Sequence, residues 1–422
     1  MQALGVDVLG EILKFLDFKE CLKCIRVNST WLKAFKRRLY TRKIVMRKRV
    51  VTADSLKIFW GERIKILSLD NLADGALKSL SGAHIETLDL SDSNITDDEL
   101  EDLYGTTVTI LDLSYTRISN QGLKHVDNLN LKSVHLCSSR VTNEGLKHLT
   151  GVQHINLAFT DVTDAGLKPL SNTPLRLIDL SYTHFKGEAL EFLCLDNLLA
   201  LHLSNTLITD ESLKPLSKLK HLHSLKLDAR DITNVGLKYL AGVKIDSLNL
   251  SWTQISDEGL YHLKDSEIRH IYLHRTKVSD EGLRFFPDLT HLYLSCTDIT
   301  GVGLRHFKQL HTVNLAETDV QDEHLQYLRG VKVINLSYTP ITDKGLVYLS
   351  SAETLVLQGT NVTDDGMRHI SRVLNLDIDY TSVTDLGLQH LKQLQTISAW
   401  DTSMVTADAL MALKTERGVK IS

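Results

Sequence analysis

From about residue 64 onward the chain repeats one short phrase. Residues 111–123 read LDLSYTRISNQGL, residues 178–190 IDLSYTHFKGEAL, residues 248–263 LNLSWTQISDEGLYHL and residues 334–349 INLSYTPITDKGLVYL. Aligned on its threonine, the phrase recurs at Thr116, Thr160, Thr183, Thr206, Thr253, Thr276, Thr297, Thr318, Thr339, Thr360, Thr381 and Thr402. The early spacing is 23 residues, or 44 and 47 where one copy lacks the threonine, and from Thr276 it is 21. About sixteen copies fit between residues 64 and 413. No unit of this length can bury an apolar face alone. Self-similarity at such a period therefore constrains the chain to a stacked array, whatever its length suggests about domain number.

Each unit reads as strand, turn and short helix. In L-x-L the two apolar side chains point to one side of a strand and the residue between them to the other. The threonine falls where the strand turns inward, and a ladder of hydroxyls there can bond backbone groups that the turn leaves unpaired. The next apolar residue, as in Ile118, Ile208, Ile255 and Ile341, packs beneath it. Ser/Thr followed by Asp/Asn, as in Thr96-Asp97, Thr209-Asp210, Ser256-Asp257 and Thr384-Asp385, reads as a helix N-cap with an acid beside the positive end of the helix dipole. The G-L-x-x-L that follows puts two leucines one turn apart on an inner face.

The phrase L-x-x-L-x-L-x-x-T-x-I-T-D-x-G-L-x-x-L resembles the leucine-rich repeats of the cysteine-containing class found in F-box proteins, with Thr in place of the ladder Cys or Asn. Its T-D-x-G-L form is similar to repeats of bacterial members of the superfamily. The resemblance covers about four fifths of the chain. It implies an α/β leucine-rich-repeat solenoid with a concave parallel sheet and short helices outside, over residues 64–422 with a C-terminal cap. It says nothing about the ligand.

Residues 1–40 differ. Leu4, Val8, Leu9, Ile12, Leu13 and Leu16 fall at helical spacing, followed by Leu22, Ile25, Val27, Trp31 and Phe35. One reading is a helical cap over the first repeat's open end. The other is an F-box, whose pattern L-P-x-E-[IV]-L-x-x-I-L-x-F-L-D resembles residues 4–17, with Glu20, Leu22, Val27 and Trp31 in register beyond them. Gly5 and Phe18 stand where that family has prolines, and Cys21 where it has Leu. The resemblance implies that Leu4, Val8, Ile12, Leu13, Leu16, Leu22, Val27 and Trp31 dock a Skp-family adaptor. The protein would then be the substrate receptor of a cullin-type ubiquitin ligase, monomeric outside that complex. The alternatives are a scaffold with no ubiquitin role, and a bacterial effector that mimics a host F-box protein.

Residues 36–49, KRRLYTRKIVMRKR, hold eight basic residues and no acid. They read as a basic linker leading into an irregular first repeat over 41–63, where Ile44 and Met46 already alternate; an import signal or nucleic-acid patch is the other possibility. Residues 1–50 hold 13 Lys+Arg against 4 Asp+Glu, and the rest 35 against 48. That break points to two modules with different partners. The net charge of −4 argues against a nucleic-acid binder as a whole.

Five cysteines, Cys21, Cys24, Cys137, Cys194 and Cys296, make no disulfide framework and fit a reducing compartment. No stretch of about 18 apolar residues occurs. The expected location is cytoplasmic, with the nucleus as an addition, or the host cytosol for a secreted effector.

Motifs for catalysis are missing: there is no H-E-x-x-H, no G-x-S-x-G and no phosphate-binding glycine loop. Cys21-x-x-Cys24 lacks a second pair and reads as core. Cys194-x-Asp196 lacks the separate helical domain that accompanies such a cysteine in bacterial ubiquitin ligases. His125, His148, His262, His306, His369 and His390 recur at one place in the repeat, which makes a row and not a metal cluster. Neither cofactor, metal nor enzymatic activity is expected. Ligand contacts should come from the strand face. Asp89, Asp92 and Asp112 make an acidic start there, and Tyr338, Tyr380 and Trp400 a late patch. Trp252, His270, Tyr272, His274, Arg275, His291 and Tyr293 form the main expected binding surface for a protein substrate, because Trp, Tyr and Arg are the residues enriched at interface hot spots.

Overall fold

The computed structural model describes residues 50–59, 62–193, 195–219, 221–402 and 404–421, with the strand at 43–46 and residues 30, 33 and 34. The adaptor-docking residues Leu4 to Trp31, the Cys21/Cys24 pair and Cys194 lie outside the described residues. The chain forms two compact units, one ending at His202 and one beginning at Leu203.

In the first unit, β1 (Lys43–Met46), β2 (Arg63–Leu69), β3 (His84–Asp89), β4 (Ile110–Asp112), β5 (Ser133–His135), β6 (His154–Asn156), β7 (Leu177–Asp179) and β8 (Ala200–His202) follow in order, each parallel to the next. The second unit holds β9 (His221–Lys226), β10 (Lys244–Asn249), β11 (His270–Tyr272), β12 (His291–Tyr293), β13 (Thr312–Asn314), β14 (Val333–Asn335), β15 (Thr354–Val356), β16 (Asn375–Asp377), β17 (Thr396–Ser398) and β18 (Lys420–Ile421), again parallel and sequential. Register is set by the L-x-L pattern. Leu67, Leu88, Leu111, Val134, Ile155, Ile178 and Leu201 pair in one column, and Leu225, Leu248, Ile271, Leu292, Val313, Ile334, Leu355, Leu376 and Ile397 in the other. All of these are buried. A slip of one residue would turn the whole column outward, which is why short strands hold their register here. This is the expected leucine-rich-repeat solenoid architecture. The return segments are single turns of α or 3-10 helix, such as Asn120–Leu123 and Asp343–Leu346.

The threonine ladder bonds as the pattern requires. Each hydroxyl donates to the carbonyl three residues earlier: Thr116 to Leu113 at 2.6 Å, Thr253 to Leu250 at 2.5 Å, Thr339 to Leu336 at 2.6 Å, and likewise down to Thr381 and Ile378 at 2.7 Å. Those carbonyls close the turn and have left the strand ladder, so the hydroxyl satisfies a buried acceptor.

The acid after each Ser/Thr does more than face a helix dipole. The Asp322 carboxylate accepts from the Thr342 backbone N–H at 2.8 Å and from its hydroxyl at 2.6 Å, one repeat later. Asp97 does the same for Ser119, Asp210 for Thr233, Asp257 for Ser279, Asp343 for Thr363 and Asp364 for Thr384. Asn120, Asn143 and Asn234 take the place of the acid in the same role. These are clamps between coils. They also explain the glycine of T-D-x-G-L. A Cβ on Gly345 would sit 2.6 Å from Asp322 Oδ1 and 2.7 Å from Leu325 Cδ1. The glycine is there so that the neighbouring carboxylate can approach.

The C-terminal end carries the longest helix described, Ala407–Arg417, followed by Gly418 in the left-handed region and the short edge strand β18. Thr406 caps its N-terminus by accepting from Ala409 N–H at 3.2 Å.

Candidate binding surface on the strand face

The outward residue of L-x-L is often a turn former. Asp89, Asp112, Asn156, Asp179, Asn249, Asn314, Asn335 and Asp377 each accept, through a side-chain oxygen, the N–H two residues on, at 2.9–3.1 Å. This is local backbone capping by a short polar side chain. It accounts for the acidic start. Asp89 also receives the hydroxyls of Ser68 at 2.8 Å and Ser91 at 2.6 Å. Asp89 and Asp112 are therefore committed to the fold.

β11 and β12 lack such a residue, as do β2, β5, β8, β9, β15 and β17, where Ser68, His135, His202, Lys226, Val356 and Ser398 stand. Tyr272 and Tyr293 stand where the capped strands carry Asp or Asn, and neither makes the capping bond. The two residues are directly opposite in the ladder, with Asn249 and Asn314 flanking them. Their rings stack at 4.4 Å and 6°, as bulky side chains on adjacent parallel strands must. Burial together with the Tyr272 hydroxyl pushes the Tyr293 phenol upward from its ordinary pKa.

Two residues earlier on the same strands, His270 and His291 are paired and meet edge to face at 4.3 Å. His291 lies 5.9 Å from the ring of His311 and its Nδ1 is 2.9 Å from the Thr290 hydroxyl. Burial, then His270 and His311, hold His291 below the usual imidazole pKa. His274 follows β11, with Nδ1 2.7 Å from Ser295 Oγ. Burial and the charge of Arg275 lower its pKa.

Trp252 and Arg275 occupy the residue just before the ladder threonine. That position is left-handed throughout: φ is 63° at Trp252 and 52° at Arg275, and it is positive at Tyr115, Phe159, Tyr182, Tyr338 and Tyr380 too. A bulky residue adopts this region only when its surroundings over-determine it. Here the N–H of Trp252 is held by His274 O at 2.8 Å and that of Arg275 by Ser295 O at 3.0 Å, in the next coil. The consequence is a side chain thrown outward: Trp252 is 46% exposed. The Arg275 guanidinium lies 4.4 Å over the Trp252 ring, and His274 meets that ring edge-on at 5.1 Å.

All seven residues singled out from the sequence thus fall on β11, β12 and the turns that follow β10 and β11, within one unit. His311 and Arg269 were missed. Both sit one residue ahead of an outward strand position, in the column Arg269–Thr290–His311, whose backbones bond in series. The signal was the alignment of that column across repeats. Tyr338, Tyr380 and Trp400 are all exposed. Tyr338 lies over Gly359, the one repeat whose left-handed residue is glycine. Phe159 and Tyr182, stacked at 4.1 Å and 10°, form a separate aromatic pair in the first unit. Cys137 and Cys296 are free thiols. Among the described residues no group of acids, histidines and cysteines could hold a metal ion, and no helix is long and apolar enough to cross a membrane.

The Leucine Rich repeat family model matches residues 83–102, 106–125, 148–171, 244–263, 287–307 and 331–350. No curated protein matches the chain. Among solved structures it is similar to an internalin (inlF) from Listeria monocytogenes, with 20% identity and a TM-score of 0.53 over 72% of this chain and 88% of that one. It is also similar to the mouse RP105/MD-1 complex, with 16% identity and a TM-score of 0.57 over 90% and 69%. A third similar structure is a TLR13–ssRNA13 complex, with 17% identity and a TM-score of 0.53 over 85% and 65%. At these identities the likeness establishes the fold. The chain carries leucine-rich repeats in an architecture of parallel strands and short helical turns.

Proposed function

We propose that this chain is a non-catalytic scaffold that binds another protein through the surface of Trp252, His270, Tyr272, His274, Arg275, His291 and Tyr293. One observation carries this reading. Tyr272 and Tyr293 stack at adjacent outward positions of β11 and β12, where neither caps the turn, and they share this face with the exposed Trp252 and the Arg275 guanidinium over its ring. Stacked rings, an exposed tryptophan and a guanidinium lying on it are what a contact hot spot is made of. The RP105/MD-1 neighbour, as its name records, is itself a complex. The test is quantitative affinity enrichment with the full chain, comparing wild type with Trp252→Ser and with His369→Ala on the helical side. Partners lost with Trp252→Ser and kept with His369→Ala support the reading. Identical partner sets for all three refute it.

A finer reading rests on the sequence register of residues 4–31. In it, Leu4, Val8, Ile12, Leu13, Leu16, Leu22, Val27 and Trp31 dock a Skp-family adaptor, and the repeats hold a substrate beside a cullin-type ubiquitin ligase in the cytosol. The protein would then supply proximity and break no bond itself. Adaptor co-purification should be lost with Trp31→Ala or with Leu4→Ala/Leu16→Ala while the repeats stay folded by circular dichroism. If the adaptor fails to bind the wild-type chain, the repeats stand as a scaffold without a ubiquitin role.

A further inference from the structure

The same surface concentrates nitrogen bases: Arg269, His270, His274, Arg275, His291 and His311 fall on β11, β12 and the edge of β13. Among the described residues, none of the six is seen in an ion pair with a carboxylate. The acids nearby are few. Asp246 on β10 heads the column of Arg269, and its backbone O accepts from Arg269 N–H. Glu317 follows β13 and acts on His274 and Cys296. Glu267 is engaged by Lys244 at 2.8 Å, and Lys332 at the edge of β14 is engaged by Glu353 at 2.9 Å. Tyr272 and Tyr293 are the remaining titratable groups facing the imidazoles. The surface therefore offers two fixed positive charges and four imidazoles, against Glu317, which acts on His274.

We propose that this surface takes an extended, carboxylate-rich peptide segment of its protein partner, and that binding draws protons onto its histidines. The inference rests on the docking surface proposed above and names its ligand. Four adjacent strands span about 14 Å, which an extended segment crosses in roughly four residues. A row of Glu or Asp side chains along it meets Arg269 as a charge-assisted partner and the imidazoles of His270, His291 and His311, in the same and the adjoining cross-strand row. In the free protein burial, then His270 and His311, hold His291 below the usual imidazole pKa, and burial and Arg275 do the same for His274. A carboxylate beside them reverses the balance, so protonation and binding reinforce each other. A single-stranded nucleic acid would also use cations and rings. Here, however, the inner faces of Tyr272 and Tyr293 cover each other, so no base inserts between them.

The experiment is isothermal titration of the full chain with N-acetyl hexaglutamate amide, its glutamine counterpart and hexathymidylate, at pH 5.5, 6.5 and 7.5 in two buffers of different ionisation enthalpy. The hexaglutamate carboxylates are still largely ionised at pH 5.5. Binding of hexaglutamate at least about tenfold tighter at pH 5.5 than at 7.5, with net proton uptake, supports the proposal. The uptake should shrink in His270→Gln/His291→Gln, which keeps the wild-type circular dichroism spectrum. Equal affinity at the two pH values, equal binding of hexaglutamine, tighter binding of hexathymidylate, or no binding at all overturns it. If hexaglutamate fails while Trp252→Ser still strips partners in the enrichment experiment, the acidic ligand is wrong and the docking surface stands. If both fail, the docking surface falls as well.

Discussion

Single side chains in this protein answer two different demands, and the geometry separates them. The ladder threonines, the clamp aspartates and the glycines of T-D-x-G-L serve the fold. Tyr272, Tyr293, Trp252 and Arg275 occupy positions where the fold would accept a smaller or more polar residue. The threonine role is open to measurement. Thr253→Val preserves shape and burial but leaves the Leu250 carbonyl without its 2.5 Å donor. Loss of a buried partner costs roughly 1–3 kcal/mol, and the urea midpoint should fall accordingly. A midpoint equal to wild type would mean that the hydroxyl ladder contributes no stability. The sequence made the threonine role legible, because a hydroxyl after a strand has few other uses. It did not reveal the reach of the aspartates. Asp beside Thr is also a plain N-cap, and only the stacking of coils brings Asp322 against Thr342.

At the scale of the repeat, the clamp and the glycine form a matched pair on successive coils. Gly301 and His324 exchange them. Gly301 stands at the clamp position and His324 at the following glycine position, so the large and small residues have traded places. A Cβ on Gly301 would lie 2.8 Å from the His324 Cβ. Gly301→Asp and His324→Gly should each destabilise alone, and the double variant should recover part of the loss. A coupling of about 1 kcal/mol is expected for residues in direct contact, read from a double-mutant cycle in urea. Strict additivity would show that the exchange is accidental. The strand elements were legible from L-x-L because inward burial fixes their register. The return segments were legible as helical only in outline. A turn carrying a glycine and a clamp is too short for a regular helix, and single turns result.

On the scale of the whole chain, the strand face carries the pH dependence. His154, His274 and His291 are all held below the usual imidazole pKa, chiefly by burial, with Arg176, Arg275 and His270 respectively as the next cause. Between those lowered values and about 6.5 the unfolded chain binds more protons than the folded one. Their contribution is therefore complete above about pH 6.5 and is lost as pH falls through it. The urea midpoint should hold above about pH 6.5 and drop as the pH falls from there to about 5, and His291→Gln should flatten the dependence; a midpoint that rises on acidification would contradict these assignments. The proposed surface stands out in the sequence because Trp252, Tyr272, Arg275 and Tyr293 are large residues at outward positions of the strands and turns. Its neighbours Arg269 and His311 do not, since their column precedes the strand by one residue and lies outside L-x-L. The division of the chain after His202 left no mark in the repeat spacing.

The central claim is that Tyr272 and Tyr293 serve a partner and not the fold. Replacing both with Asn, the residue that β10, β13 and β14 use at this position, offers the missing caps to the N–H groups of His274 and Ser295. The decisive measurement is the dissociation constant of the captured partner for wild type and for Tyr272→Asn/Tyr293→Asn, alongside their melting temperatures. The account predicts an equal or higher melting temperature and an affinity at least about tenfold weaker, as expected for the removal of a hot spot. Unchanged affinity in a variant that folds as well as wild type would contradict it.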